Sequence, residues 1–335
     1  MNPVKGTVHR PFASVLVDYA RRNERVVCIT NDLTRSVEAD LFRETFPDRY
    51  FSLGMAEQNL VGALSGLARE GLEPFYPSFG VFATRRPYEQ IALNVAYPNL
   101  PVRLIGFLPG ITTPGGITHQ ATDDISLMVG LPNMTVLCLA DATDVETFPA
   151  ALPDIAGPVY CRLPRGEVPR YFDEPFRFNA ARLLSKGDDL TVLSTGATTE
   201  HAIGACAALA AAGVGVTHLN ISTLRPFTDP QVLESIARTG AAITVENHLT
   251  RGGLGTAVAE LIAEHGLGAT LRKVGIRDTF THGGRAAYLF AYYGIDAAAI
   301  LGVANGLLGL SVVCSDGLEH GPGPLTLNSA VSEGL

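Results

Sequence analysis

Strand-like and helix-like segments alternate along almost the whole chain, and this alternation limits the folds that the chain can adopt. Short runs typical of β-strands predict strands at Arg25–Thr30, Glu73–Tyr76, Val102–Phe107, Thr135–Leu139 and Val159–Arg162. Helical stretches are predicted between them, at Phe12–Arg22, Ala56–Glu70, Ala83–Ala96, Asp123–Met128 and Asp144–Leu152. Such alternation is typical of βαβ units, in which helices cover both faces of a parallel sheet.

A proline-rich stretch interrupts the alternation and predicts two domains. Residues Leu163–Asp189 contain three prolines among charged residues, a composition typical of a linker. A second, smaller α/β series follows, from Leu190 to Gly275, and Ile300–Leu310 is predicted as an apolar helix. We therefore expect two doubly wound domains, over residues 1–163 and 190–313, joined by a linker at 164–189 and followed by a flexible tail at 314–335.

Composition and charge exclude several classes of partner. The formal net charge of -8 gives no basic footprint for nucleic acid or an anionic lipid surface. The first ten residues do not have the pattern of a signal peptide, and no apolar run reaches the roughly 18 residues of a membrane span. We expect a cytoplasmic protein that contacts neither nucleic acid nor a membrane.

The cysteines indicate neither disulfides nor a metal site. Their number is odd, and they lie far apart in apolar runs, without a C-x-x-C pair, at Cys28, Cys138, Cys161, Cys206 and Cys314. We interpret them as small core residues.

One acidic residue stands at the start of a helix rich in glycine and alanine. The segment Phe51–Ala68 reads FSLGMAEQNLVGALSGLA and places Glu57 where a strand end meets that helix. By itself, a carboxylate there is explained by the attraction of the helix dipole for negative charge. The following run, Pro74–Gln90, places Phe79 and Phe82 three residues apart, which also suits two ordinary core aromatics.

Together, these two segments resemble the G-x-A-E-Q-N and F-x-x-F-A-T-x-R-P motifs of the thiamine-diphosphate-dependent transketolase family. The resemblance implies a pyrimidine-binding domain followed by a transketolase C-terminal-like domain. It implies that Glu57 hydrogen-bonds the aminopyrimidine ring of thiamine diphosphate and so helps to remove the C2 proton of the cofactor. Phe79 and Phe82 would form the walls around that ring, with Arg85 as a further cofactor contact.

Three further matches to the family concern the substrate. Gly116–Gln120 resembles the G-x-[ST]-H-Q block, which implies that His119 faces the reacting carbon and binds substrate. Ser36, in a D-L-x-x-S turn, and Arg165, after a short C-R-L-P run, match positions that contact the substrate phosphate. A lone histidine is more often structural and a linker arginine is more often solvated, so both alternatives stay open for these residues.

Two departures from the family concern the missing half of the site and the substrate. The chain has no G-D-G…N motif for magnesium and diphosphate, so the resemblance implies a separate N-terminal subunit that carries Mg²⁺, in an α2β2 assembly. No metal ligands are expected in this chain. The stretch Gly106–Gly116 has neither the histidine nor the aspartate with which the family binds sugar hydroxyls.

In the second domain, Ala241–Gly255 contains V-E-N-H followed by G-G-L-G. This run lacks the spacing of a dinucleotide fingerprint, and in the family the matching segment serves packing.

The motifs therefore indicate the C-terminal subunit of a split transketolase that transfers a two-carbon ketol or acyl unit from a ketose-type donor to an aldehyde-type acceptor. A 1-deoxyxylulose-5-phosphate-synthase-like or acyloin-forming carboligase is the main alternative. A 2-oxoacid dehydrogenase β subunit or a non-catalytic relative is a weaker one.

Overall fold

The computed structural model describes residues 4–313 and divides the chain into two compact units. Among these residues, the first unit contains 4–109 and 124–178, and the second contains 110–123 and 179–313. The expected tail at 314–335, with Cys314, lies outside the described residues.

A parallel sheet forms the centre of the first unit. The strands of this unit are β1 (Thr7–His9), β2 (Val26–Thr30), β3 (Tyr50–Ser52), β4 (Glu73–Phe79), β5 (Arg103–Phe107), β6 (Thr135–Cys138), β7 (Val159–Arg162) and β8 (Glu167–Pro169). Within the unit they pair in the parallel order β6-β7-β5-β4-β2-β3. Strands β2, β4, β5 and β7 are buried along their whole length, as expected for a parallel sheet covered on both faces.

The helices of the first unit follow the predicted order, apart from an additional helix at Asp40–Thr45 and one predicted helix that is divided. They are α1 (Pro11–Arg22), α2 (Asp40–Thr45), α3 (Glu57–Arg69), α4 (Gly80–Thr84), α5 (Tyr88–Gln90), α6 (Asp124–Val129) and α7 (Ala142–Thr147). The single helix predicted over Ala83–Ala96 is divided at Arg85–Pro87 and continues as a π-helical segment at Ile91–Ala96. Pro87 accounts for the break, because a proline disfavours helical geometry in the residue before it.

The stretch interpreted as a linker is shared between the two units. Its first part belongs to the first unit, where β8 pairs antiparallel with β1. Thr143 of α7 donates a hydrogen bond to the carbonyl of Phe172 at 2.6 Å, which fastens the chain beyond β8 to the same unit. Its last part forms the first strand of the second unit. The prolines therefore mark irregular backbone rather than a free connection.

The second unit contains a smaller sheet of the same kind. Its strands are β9 (Arg182–Ser185), β10 (Leu190–Ser194), β11 (Val216–Asn220), β12 (Thr223–Arg225), β13 (Ala241–Leu249) and β14 (Thr270–Ile276). Its helices are α8 (Thr199–Ala211), α9 (Pro230–Thr239), α10 (Leu254–Glu264), α11 (Ala286–Tyr292) and α12 (Ala297–Leu308). The sheet order is β14-β13-β10-β11-β9, parallel except for the edge strand β9.

The segment Gly110–Asp123 is attached to the second unit, although it lies between β5 and α6 in sequence. The backbone N–H of Ile111 donates to Oδ1 of Asn247 at 3.0 Å, and the N–H of Leu249 donates to the carbonyl of Thr122 at 2.9 Å. The second unit therefore includes a segment from within residues 1–163, the range expected for the first domain.

Among the described residues, Ala286–Leu308 is long and apolar enough to cross a membrane by length and composition alone. The stretch is two helices, α11 and α12, with a break at Gly294, where the backbone is left-handed. Its inward residues, including Leu289, Ile300 and Leu301, pack into the core of the second unit. We interpret this stretch as core helices.

The observed architecture confirms the α/β class with two wound sheets. The four described cysteines are free and buried, in agreement with a core role, and burial raises the pKa of Cys206 to about 12.

Candidate functional site

Glu57 is the first residue of α3 and is buried, with 4% of its surface exposed. Its Oε1 accepts a hydrogen bond from Nδ2 of Asn31 at 3.0 Å and another from Nη1 of Arg86 at 2.9 Å. Asn31 follows β2, and its Oδ1 accepts a bond from the Ser78 hydroxyl of β4 at 3.1 Å. The carboxylate therefore lies at the carboxyl ends of two neighbouring parallel strands, where ligand sites of wound sheets occur.

Phe79 and Phe82 lie together, and Arg86 connects Phe82 to this carboxylate. Their ring centroids are 5.8 Å apart and both side chains are buried. The guanidinium of Arg86 lies 4.2 Å from the centroid of Phe82, a cation–π distance. Arg85, which the sequence predicts as the cofactor contact, is half-buried, but the neighbouring Arg86 is the arginine that binds Glu57.

An open pocket of about 390 Å³ lies beside Glu57. It is lined by Met55, Ala56, Glu57, Gln58, Asn59 and Arg86. Both hydrogen bonds to Glu57 use Oε1, and Oε2 accepts none from the residues that the structure describes. One carboxylate oxygen is thus left for a ligand.

Tyr76 is a residue of this neighbourhood that the sequence did not single out. It lies two residues before Ser78 on β4 and is fully buried. Burial raises the pKa of its hydroxyl well above the usual range, and the nearby charge of Glu57 raises it further. The alternation of side chains along a strand places Tyr76 and Ser78 on the same face of the sheet.

Ser36 and Arg165 form a second corner in the same unit. Nη1 of Arg165 donates to the Ser36 carbonyl at 3.3 Å, and its guanidinium lies 5.9 Å from the Phe79 ring centroid. Burial lowers the pKa of Arg165, against the opposing effect of the Glu38 charge. The fold thus brings together Ser36 and Arg165, which are 129 positions apart in the sequence.

Arg10 and His9, near the N-terminus, form different ion pairs. Arg10 forms a two-bond ion pair with Asp40, and its Nη2 reaches the Arg35 carbonyl at 3.5 Å. Its positive charge contributes to the lowered pKa of Arg165, so Arg10 lies near the corner. The exposed His9 ring pairs instead with Glu167 at 2.5 Å.

His119 lies in Gly110–Asp123, the segment attached to the second unit. It is half-buried, and its Nδ1 is 2.9 Å from the Thr118 hydroxyl. The next residue, Gln120, is buried and fixes the segment. Its Nε2 donates to the carbonyls of Thr113 at 3.0 Å and His282 at 3.2 Å, and its Oε1 accepts from Thr281 at 2.5 Å. The glutamine of the H-Q block therefore has a structural role in this chain.

The V-E-N-H and G-G-L-G run of the second unit is a helix cap. The buried carboxylate of Glu246 accepts hydrogen bonds from the N–H groups of Leu254 at 2.9 Å and Gly255 at 2.8 Å, at the start of α10. A Cβ on Gly253 would lie 1.9 Å from Oε2 of Glu246, so only glycine allows this approach. The contacts account for the glycines by packing, as the sequence indicated.

Family models match both parts of the chain. The transketolase pyrimidine-binding domain matches residues 7–170, and the transketolase C-terminal domain matches residues 179–300. The chain belongs to the transketolase family.

Relatives within the transketolase family include subunits of split enzymes. The 6-deoxy-6-sulfo-D-fructose transketolase subunit SqwH of Clostridium sp. (strain MSTE9) is 38% identical over 88% of this chain and 92% of the relative. The 1-deoxy-D-xylulose-5-phosphate synthase 1 of Geobacter sulfurreducens is 33% identical over 89% of this chain. The chain spans only 47% of that synthase.

A solved structure described as a split gene transketolase, an inactive beta4 tetramer, is similar to this chain with a TM-score of 0.80 and 35% sequence identity. The match covers 90% of this chain and 97% of the chain in that structure. The chain is thus a transketolase-like C-terminal subunit of the thiamine-diphosphate-dependent class.

The residues around Glu57 fit the pyrimidine half of thiamine diphosphate. Oε2 offers an acceptor for a ring nitrogen, and the Phe79 and Phe82 rings offer apolar faces for a flat heterocycle. Within residues 4–313, no group of three or more His, Cys, Asp or Glu side chains is placed to hold a metal ion.

Proposed function

We propose that this chain activates thiamine diphosphate for the transfer of a two-carbon ketol unit from a ketose-type donor to an aldehyde-type acceptor. The observation that carries the proposal is the buried Glu57 carboxylate, with Oε1 occupied by Asn31 and Arg86 and Oε2 left beside the pocket. Bound thiamine diphosphate supplies the electron sink for breaking and forming the carbon–carbon bond.

The chain's own residues then have distinct tasks. Glu57 shares a proton with the far nitrogen of the aminopyrimidine through Oε2, a charge-assisted bond in a site with little water. Phe79 and Phe82 enclose the ring, and Arg85 contributes a further contact to the cofactor. His119 acts as a general acid and base at the reacting carbon.

The distal end of the substrate is assigned to Ser36 and Arg165. An arginine near a serine suits an anionic group, because the guanidinium can bind two oxygens at once. The lowered pKa of Arg165 reflects its partial removal from water, which strengthens its attraction for an anion. A phosphate or sulfonate on the sugar would meet this requirement.

The diphosphate and Mg²⁺ are assigned to a separate N-terminal subunit in an α2β2 assembly in the cytoplasm. Three apolar residues in the segment that leads into the pocket are exposed: Phe51, Leu53 and Met55. Their exposure supports a partner subunit that covers them. The split relatives support the same arrangement.

Replacement of Glu57 by glutamine tests the proposal. Glu57→Gln keeps the volume of the side chain but cannot exchange the proton, so C2 hydrogen–deuterium exchange in the complex with the N-terminal subunit should slow by about 10²–10⁴. Glu70→Gln, at the exposed end of the same helix, is the control and should exchange at the wild-type rate. Wild-type exchange in Glu57→Gln would show that the carboxylate only caps α3.

A 1-deoxyxylulose-5-phosphate-synthase-like carboligase is the second candidate. The stretch Gly106–Gly116 lacks the polar side chains that bind sugar hydroxyls in transketolases, and a synthase is among the relatives. A panel of ketose phosphates and 2-oxoacids as donors decides between the two, because release of carbon dioxide from a 2-oxoacid would favour the carboligase.

A further inference from the structure

The hydrogen bonds to Glu57 are asymmetric. Asn31 and Arg86 approach the same oxygen, Oε1, from two sides, at 3.0 and 2.9 Å. No described residue donates a hydrogen bond to Oε2. We call Asn31 and Arg86 the Oε1 clamp.

Each member of the Oε1 clamp is itself held by a neighbour. Asn31 is fully buried, and the Ser78 hydroxyl donates to its Oδ1 at 3.1 Å, so its amide N–H₂ is directed to Glu57. Arg86 lies against the Phe82 ring, with 4.2 Å between the guanidinium carbon and the ring centroid. The clamp therefore joins the carboxylate to β2, β4 and one of the two aromatic residues.

We propose that the Oε1 clamp is a positioning device, which fixes the rotation of the Glu57 carboxylate and reserves Oε2 for the cofactor ring nitrogen. The inference rests on the proposed function of Glu57. A carboxylate on a glutamate side chain rotates freely about its last bond unless its oxygens are bound. Two donors on Oε1 restrict that freedom, because a large rotation away from this orientation weakens both hydrogen bonds together.

Because Arg86 is partly exposed, its role in positioning Glu57 can be tested without disturbing the fold. The Arg86 side chain is 48% exposed, and although Glu57 is only 4% exposed it lines the open pocket, so its carboxylate keeps access to water when Arg86 is lost. Loss of Arg86 should therefore leave the fold intact while the carboxylate becomes mobile. A replacement of Asn31, by contrast, can also disturb the fold, since Asn31 is buried.

A double-mutant cycle between Arg86 and Glu57 tests the clamp. Arg86→Met keeps much of the side-chain volume but removes the donors. In the complex with the N-terminal subunit, it should weaken thiamine diphosphate binding in calorimetry and slow C2 exchange, each by about tenfold to a hundredfold. In a Glu57→Gln background, Arg86→Met should change neither quantity, because the two residues act as one unit. Free guanidinium ion should restore part of the exchange rate.

Two further variants complete the design. Arg69→Met removes an exposed arginine from the far end of α3 and should leave binding, exchange and the urea midpoint at wild-type values. Asn31→Asp replaces the second donor by an acceptor and should also slow exchange, with the Arg86 variant deciding the question if Asn31→Asp does not fold.

The outcomes distinguish the clamp from the function on which it rests. Equal effects of Arg86→Met in both backgrounds would overturn the clamp, since Arg86 would then act independently of Glu57. Normal binding and exchange in Arg86→Met would overturn it as well. A wild-type complex that neither binds the cofactor nor exchanges its proton would instead refute the proposed function.

Discussion

At the scale of single residues, His218 makes the stability of the chain sensitive to acid. It is buried in β11, where its Nε2 is 2.8 Å from the Ser194 hydroxyl of the neighbouring strand. Burial lowers its pKa from 6.5 to about 3. The folded-state pKa is therefore below the unfolded one, so the unfolded chain binds more protons between these values. Above pH 6.5, the buried neutral His218 does not lower the free energy of unfolding. As the pH drops toward 3, the free energy of unfolding should fall by at most about 1.4 kcal/mol per pH unit because of this residue.

Urea unfolding at pH 7, 6 and 5 checks this expectation. His218→Gln should flatten the dependence of the free energy of unfolding on pH by close to one proton. The exposed His265, replaced by glutamine as a control, should leave that dependence as in wild type. An unchanged slope in His218→Gln would assign the acid sensitivity to other groups.

The site residues also mark what sequence can predict at this scale. Glu57, Phe79 and Phe82 are predicted as site residues because a family motif fixes their positions, and the structure places them in one unit. The F-x-x-F-A-T-x-R-P motif places its arginine at Arg86, directly before Pro87, so the sequence itself contained a signal for the arginine that binds Glu57. Tyr76 gave no signal beyond that of a strand residue, since its proximity to Glu57 comes from the pairing of β4 with β2.

At the scale of elements, buried strands and amphipathic helices were predicted well and short or irregular elements were not. Strand β2 is a continuous apolar run that carries its own signal. By contrast, β3 is three mostly exposed residues, and its pairing with β2 defines it as a strand. The assignment of Gly110–Asp123 to the second unit depends on hydrogen bonds to Asn247 and Leu249, more than a hundred residues away, so no local pattern encodes it.

The cap on α10 gives a prediction for one element. In Glu246→Gln, one of the two backbone N–H groups at the start of α10 would face an amide N–H₂ instead of a carboxylate oxygen. A buried donor without an acceptor costs about 1–3 kcal/mol, and the free energy of unfolding should fall by that amount. Glu260→Gln, on the exposed face of the same helix, should change it by less than about 0.5 kcal/mol. Equal stabilities in urea titrations of the two variants would mean that the cap contributes nothing.

At the scale of the whole molecule, the two wound sheets and their order followed from the alternation of elements and from the family motifs. Domain order and fold class are encoded repeatedly along the chain, so errors in single elements did not disturb them. The second half of the cofactor site is different, because the resemblance assigns it to another chain. Its location is a proposal about assembly.

The proposed complex with an N-terminal subunit can be tested in solution. By its resemblance to the family, the chain offers the pyrimidine side of the site, while the G-D-G…N motif for magnesium and diphosphate belongs to the other half. We therefore expect the purified chain alone to bind thiamine diphosphate weakly and to turn over no substrate. Addition of the N-terminal subunit with Mg²⁺ should produce activity, a rise in thermal stability on cofactor binding, and a light-scattering mass of two copies of each subunit. Turnover by the single chain would remove the need for a partner, whereas an active complex with one copy of each subunit would contradict α2β2.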